Sequence, residues 1–131
     1  MKNSRILKCI LFVSGLIAIG IGGAILFVPA TFFAPYGIEP GSNANLASEL
    51  RAGGGALLAI GLLIMAGVFV AEFALASTVI ATAVYLSYGL ARLLSMALDG
   101  WPDDGLAAAA AVELVVGTAC LLALLRYRNP G

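Results

Sequence analysis

Four stretches of this chain are apolar for long enough to cross a bilayer, and that limits its fold more than anything else in the sequence. No side chain is charged from Cys9 to Pro29, and none from Ala52 to Ala71. A third run, from Ala74 to Leu98, carries a single charge, Arg92, and a fourth, from Leu106 to Leu125, carries only Glu113. About 20 apolar residues suffice to span the hydrocarbon core. Inside it, backbone amides must bond to each other, so each run reads as a helix. The connections are short, which makes neighbouring helices antiparallel. The expected fold is all-α, a four-helix transmembrane bundle, with spans at about 8–29, 46–71, 73–98 and 105–126.

Composition agrees. Of 131 residues, 62% are hydrophobic and 11% charged, where a soluble domain has about a quarter of its residues charged. Seven basic and seven acidic side chains balance to zero and no histidine is present, so no nucleic-acid partner is indicated. Cys9 and Cys120 form no CxxC pair and no metal-ligand spacing; they read as small apolar packing residues, with a disulfide as the alternative. No metal and no cofactor is expected. Nothing divides the chain, so residues 1–131 form one integral membrane domain.

The basic head with Lys2, Arg5 and Lys8 resembles the start of a signal peptide. However, the apolar core of a signal peptide is about 7–15 residues, shorter than the run that follows here. The first span is therefore expected to be an uncleaved helix, ended by Pro29 and Pro35. Its Ser14, Ala18 and Gly22 form a ridge of small residues suited to close helix contact, inside the bundle or between two copies. Phe32, Phe33, Tyr36 and Trp101 suit the membrane surface. Asn43 or Asn45 can cap the second span. The link around Glu72 requires a tight hairpin, and Pro102, Asp103 and Asp104 suit a helix start. Lys and Arg cluster at the head and at Arg126 and Arg128, and are absent from the loop at 30–45 and the turn at 99–105. By the positive-inside rule both termini are cytoplasmic.

The third span carries a polar stripe. Thr78, Thr82, Tyr85, Tyr88, Arg92, Ser95 and Asp99 recur at steps of three or four and share one helix face. Such a face turns toward protein or water. On the fourth span, Ala109, Ala110, Glu113, Gly117 and Cys120 share a face of mostly small residues. With a 1.5 Å rise, Arg51 lies roughly 7 Å, Arg92 roughly 10 Å and Glu113 roughly 12 Å inward from the same surface. These three charges are therefore expected to meet in the outer leaflet, with Glu49 and Asp99 closing the site from its edge. Two arginines against one deep carboxylate leave a positive surplus that would suit an anionic guest. Tyr85 and Tyr88 would line the apolar part of the pocket, or serve as core tyrosines; Ser95 would join the site, or bond a carbonyl of the preceding turn.

The segments Glu49-Leu50-Arg51-Ala52-Gly53-Gly54-Gly55, Gly89 through Gly100, and Glu113-Leu114-Val115-Val116-Gly117 resemble, in order and spacing, an uncharacterised family of small bacterial four-helix membrane proteins, known as domain of unknown function four-three-four-five. The chain is similar, more distantly, to the DoxX-like group, some of which accompany quinone-linked oxidoreductases. The resemblance implies a four-helix fold and a bacterial inner membrane. It implies no activity and supplies no family-defined functional residues.

The functional expectation is therefore a non-enzymatic membrane protein, with no catalytic residues, that binds a lipid or another amphipathic anionic small molecule. Ligand-binding residues would be Arg51, Arg92, Glu113, Glu49, Tyr85, Tyr88, Ser95 and Asp99. Its partners would be the lipid bilayer, such a ligand, and a second copy or a membrane partner protein. The competing readings are a structural subunit of a larger membrane complex and a small proton-coupled transporter with Glu113 as the titrating group.

Overall fold

The computed structural model describes residues 4–128. Helix α1 spans Arg5–Phe27, and the Ser4 hydroxyl caps it by accepting the Ile6 amide at 3.2 Å. It stops because Pro29 follows. A residue before proline is pushed out of the helical region, and Val28 adopts φ −134°, ψ 57°. Pro29 does more than end α1: it occupies the first turn of a short helix, α2, Pro29–Phe33, where its missing amide hydrogen is not needed. A 3₁₀ turn at Ala34–Tyr36 follows, and Gly37 at φ 72° reverses the chain.

Helix α3 spans Ala44–Phe69, capped by Asn43, whose side chain accepts the Leu46 amide at 3.1 Å. A 3₁₀ turn at Ala71–Phe73 forms the tight link to α4, Ala74–Asp99. Gly100 at φ 98° closes α4, and Asp103 caps α5, Asp104–Tyr127, through the Gly105 amide at 2.9 Å. The four long helices contain 23, 26, 26 and 24 residues. At 1.5 Å per residue they run about 35–39 Å, more than the roughly 30 Å hydrocarbon core. All four are long and apolar enough to cross a membrane.

The bundle is two hairpin-like pairs. α1 packs closely along α3, and α4 along α5; the α3–α4 contact is smaller and α1 barely touches α5. The Ser14-Ala18-Gly22 ridge is buried within the bundle, and its Gly22 faces α3. A Cβ on Gly22 would stand 2.8 Å from the Gly54 carbonyl oxygen, so glycine is what lets the two backbones meet. In α4–α5 the glycines meet side chains: Gly89 faces Leu114, and Gly117 faces Leu86.

Burial is uneven along the bundle. Leu7, Leu11, Ile64, Ala74, Ala81, Cys120, Ala123 and Tyr127 form one core with Tyr85. They come from the first half of α1 and α4 and the second half of α3 and α5, so the core fills one end. The inner part of the polar stripe lies here, and its two threonines donate to carbonyls of their own helix. Thr78 Oγ1 donates to the Ala74 carbonyl at 2.6 Å, and Thr82 Oγ1 to Thr78 at 2.7 Å. Ser77 Oγ crosses to the Leu63 carbonyl on α3 at 2.7 Å. Cys120 is buried and Cys9 exposed, and both are free thiols.

Candidate functional site

At mid-length the four long helices leave a cavity of about 200 Å³. α1 contributes Ile17, Ala18 and Ile21; α3 contributes Leu57; α4 contributes Val84, Tyr85 and Tyr88; α5 contributes Ala109, Val112 and Glu113. The wall is almost wholly apolar. Its polar members are nearly all engaged. The buried Tyr85 hydroxyl donates to the Ser14 carbonyl of α1, while the Ser14 hydroxyl donates to Ile10 at 2.7 Å. Among the described residues no buried side-chain nitrogen or oxygen lacks a partner.

Glu113 is held by Arg92 in a two-point ion pair. Arg92 Nε donates to Oε1 at 2.6 Å and Nη2 to Oε2 at 3.2 Å. Arg92 also lies over the Tyr88 ring, 5.9 Å from its centroid, within reach of a cation–π contact. The local sequence explains the pairing. Gly89 lies one turn before Arg92, and Gly117 one turn after Glu113. These glycines bring α4 and α5 close enough for the two side chains to meet. The side chains are 31% and 15% exposed, so the pair sits at the cavity's edge rather than in a sealed interior.

The expected convergence of three charges is only half realised. Arg51 does not join the carboxylate. Its Nη1 donates to the Leu26 carbonyl at 2.6 Å, one of the last carbonyls of α1, which have no partner within that helix. A cation there also meets the negative end of the helix dipole. Arg51 is in effect a cap for α1 delivered from α3. Arg92–Glu113 is the one ion pair among the described residues. With Arg92 neutralised and Arg51 directed elsewhere, the positive surplus facing a guest is not assembled.

Glu49 is exposed on α3. Ser95 and Asp99 are exposed and bond each other, Ser95 Oγ to Asp99 Oδ2 at 3.2 Å, so Ser95 does not bond back to its own helix backbone. Of the eight expected site residues, Tyr85, Tyr88 and Glu113 line the cavity, Arg92 holds Glu113, and Arg51, Glu49, Ser95 and Asp99 lie outside the lining. The apolar lining residues carried no signal, since nothing separates an aliphatic residue facing a void from one facing lipid.

An all-α bundle of four membrane-length helices around a small apolar cavity defines an integral membrane protein. The chain belongs to the family described as Domain of unknown function (DUF4345), whose model matches residues 6–124. No curated protein and no solved structure matches it.

Proposed function

We propose that this protein is a non-enzymatic membrane protein that holds the hydrocarbon part of one amphipathic molecule in its mid-membrane cavity. Tyr88 and the Arg92–Glu113 pair form the polar edge of that site. The observation that carries this reading is a cavity bounded by all four helices, whose polar neighbours are already almost all paired. Such a wall asks for an apolar guest. A cavity of about 150 Å³ accepts a benzene-sized molecule, so about 200 Å³ takes a single ring or a short length of chain. A whole lipid is too large, and the rest of the guest lies in the bilayer. An anionic group on the guest, expected from the sequence, would find its attraction away from Glu113. In this reading both termini face the cytoplasm across a bacterial inner membrane, an assignment supported by the distribution of Lys and Arg.

The alternative, a subunit that docks onto a larger complex, needs a lipid-facing surface, for which the Ser14-Ala18-Gly22 ridge would be a natural choice. That ridge is spent inside the bundle, so this form of the alternative loses its surface. The test is native mass spectrometry of gently purified protein beside Ala109→Leu, which fills the cavity from its wall. The expected result is a discrete adduct on the wild type that Ala109→Leu loses while keeping its helical signal. An adduct of equal abundance on both proteins would overturn the reading.

A further inference from the structure

The cavity does not stand alone on its side of the bundle. A second apolar hollow, of about 260 Å³, lies between α1 and α5, with Ile10, Val13, Val116 and Ala119 in its walls. One helical turn separates it from the cavity on each helix: Val13 from Ile17, and Val116 from Val112. The two hollows thus follow one another along the α1–α5 seam, which is weaker than the α1–α3, α3–α4 and α4–α5 contacts.

The end of this seam is charged in a particular way. Arg5 and Lys8 are exposed on α1, and Arg126 and Arg128 are exposed at the end of α5. The other two helices end at the same face, and their link carries only Glu72. All the cations described at this face belong to α1 and α5, although Lys8 borders a hollow shared with Val68 of α3 and so lies off the seam. The distances also fit. From Arg5 to Ile17, where the cavity begins, is roughly 18 Å of helix. That is slightly more than half of a roughly 30 Å hydrocarbon core, so the cation stands at the surface of one leaflet.

From this alignment we propose that the site takes an anionic phospholipid from the leaflet at the basic end. Its phosphate lies among Arg5, Arg126 and Arg128. One acyl chain runs along the α1–α5 seam and ends in the cavity. This rests on the reading that the cavity holds hydrocarbon, and adds the head group, its location and the path of the chain. Arg92 and Glu113 then meet the end of the chain and not its head. The seam opens sideways to the bilayer, so the lipid enters without crossing the bundle.

The test uses the full chain in mixed vesicles of dioleoyl phosphatidylglycerol and dioleoyl phosphatidylcholine, followed by detergent release and native mass spectrometry. Both lipids carry the same chains, so only the head differs. The expected result is one retained phosphatidylglycerol, favoured over phosphatidylcholine. Removing a surface cation weakens binding about fivefold, so Arg5→Gln with Arg126→Gln should reduce the preference about 25-fold. Ala119→Phe, which blocks the seam below the cavity, should reduce retention of both lipids. Equal retention of the two lipids by the wild type overturns the head-group assignment. Retention unchanged by Ala119→Phe overturns the seam and marks the lipid as merely annular. In either case, loss of the adduct in Ala109→Leu would leave the cavity reading standing, and persistence of the adduct there would remove both. The cation variants alter only exposed side chains, so they remain informative should a packing variant fail to fold.

Discussion

The two halves of the bundle are built differently. The half around Ser4 and Arg128 has a packed interior shared by all four helices, with the α1–α5 hollow at its outer side: Leu7, Leu11, Ile64, Ala81, Cys120 and Ala123 form one cluster. In the half toward the 99–105 turn, each helix touches mainly its own partner. α1 and α3 meet through Gly22 and Gly54, and α4 and α5 meet around Gly89 and the Arg92–Glu113 pair. The cavity lies where one mode of packing gives way to the other. In lipid, burying an aliphatic side chain brings no gain over leaving it among acyl chains, so packing and polar contacts decide where helices hold together. The filled half relies on packing shared by all four helices, the open half on packing within each pair and on the Arg92–Glu113 contact.

This contrast can be broken at its strongest point. Arg92→Ala leaves Glu113 inside the membrane without its cation. The expected cost is about 3 kcal/mol, read as a lower midpoint on unfolding in mixed micelles. A variant as stable as the wild type would mean that the pair does not hold the open half. Replacing both residues by leucine should recover most of the loss, because the stranded charge is gone.

Next in size is a pair of truncations at different levels of α3. Ile64 is fully buried in the filled half, whereas Leu57 already borders a void. Ile64→Ala should cost about 2 kcal/mol through lost packing, and Leu57→Ala about half as much. Equal losses would erase the distinction between the halves.

A smaller effect separates the two helix pairs. Gly22→Ala drives a methyl against the α3 backbone, which cannot turn aside, and should cost about 1–2 kcal/mol. Gly89→Ala meets the Leu114 side chain, which can shift its rotamer, so its loss should stay under about 1 kcal/mol. Melting temperatures in detergent would rank the two, and the opposite order would contradict the geometry. Smallest is Tyr85→Phe at the boundary. It removes the hydrogen bond to Ser14, and interhelical hydrogen bonds in membranes average about 0.6 kcal/mol. A much larger loss would make Tyr85 the true lock between α1 and α4.

Much of this architecture was legible in the residues. Length and hydropathy define the helices because the bilayer imposes both. Asn43, one of two candidate caps, caps α3; Ser14-Ala18-Gly22 takes the internal one of its two options; Thr78 and Thr82 point inward and Arg92 finds Glu113, as local spacing and charge indicated. The hydrogen bond of Arg51 was not legible. Its acceptor is a backbone carbonyl on another helix, and every helix end offers unpaired carbonyls, so no residue type announces that partner. Depth alone placed Arg51 beside Glu113, but depth does not give the direction a side chain takes around its helix. Ser95 and Asp99 failed on the other coordinate: they share a face with Tyr85 but lie 10 and 14 residues further along α4, exposed and beyond the cavity. The helix α2 was hidden because Pro29 both ends one helix and opens another.

One small contact at the far end has a mechanical consequence. The Tyr36 ring lies so close to the start of α5 that a Cβ on Gly105 would stand 2.6 Å from its Cε1 atom. The segment after α1 is thereby fastened to the last helix at one face of the membrane, while the Ala71–Phe73 link and the filled interior fasten the two hairpins at the other. Two beams pinned together at both ends deflect most at mid-span. Thermal bowing of this bundle is therefore expected to be greatest around Ile17, Leu57 and Val84. The volume of the cavity should fluctuate while the ends, and the residues exposed there, stay in register.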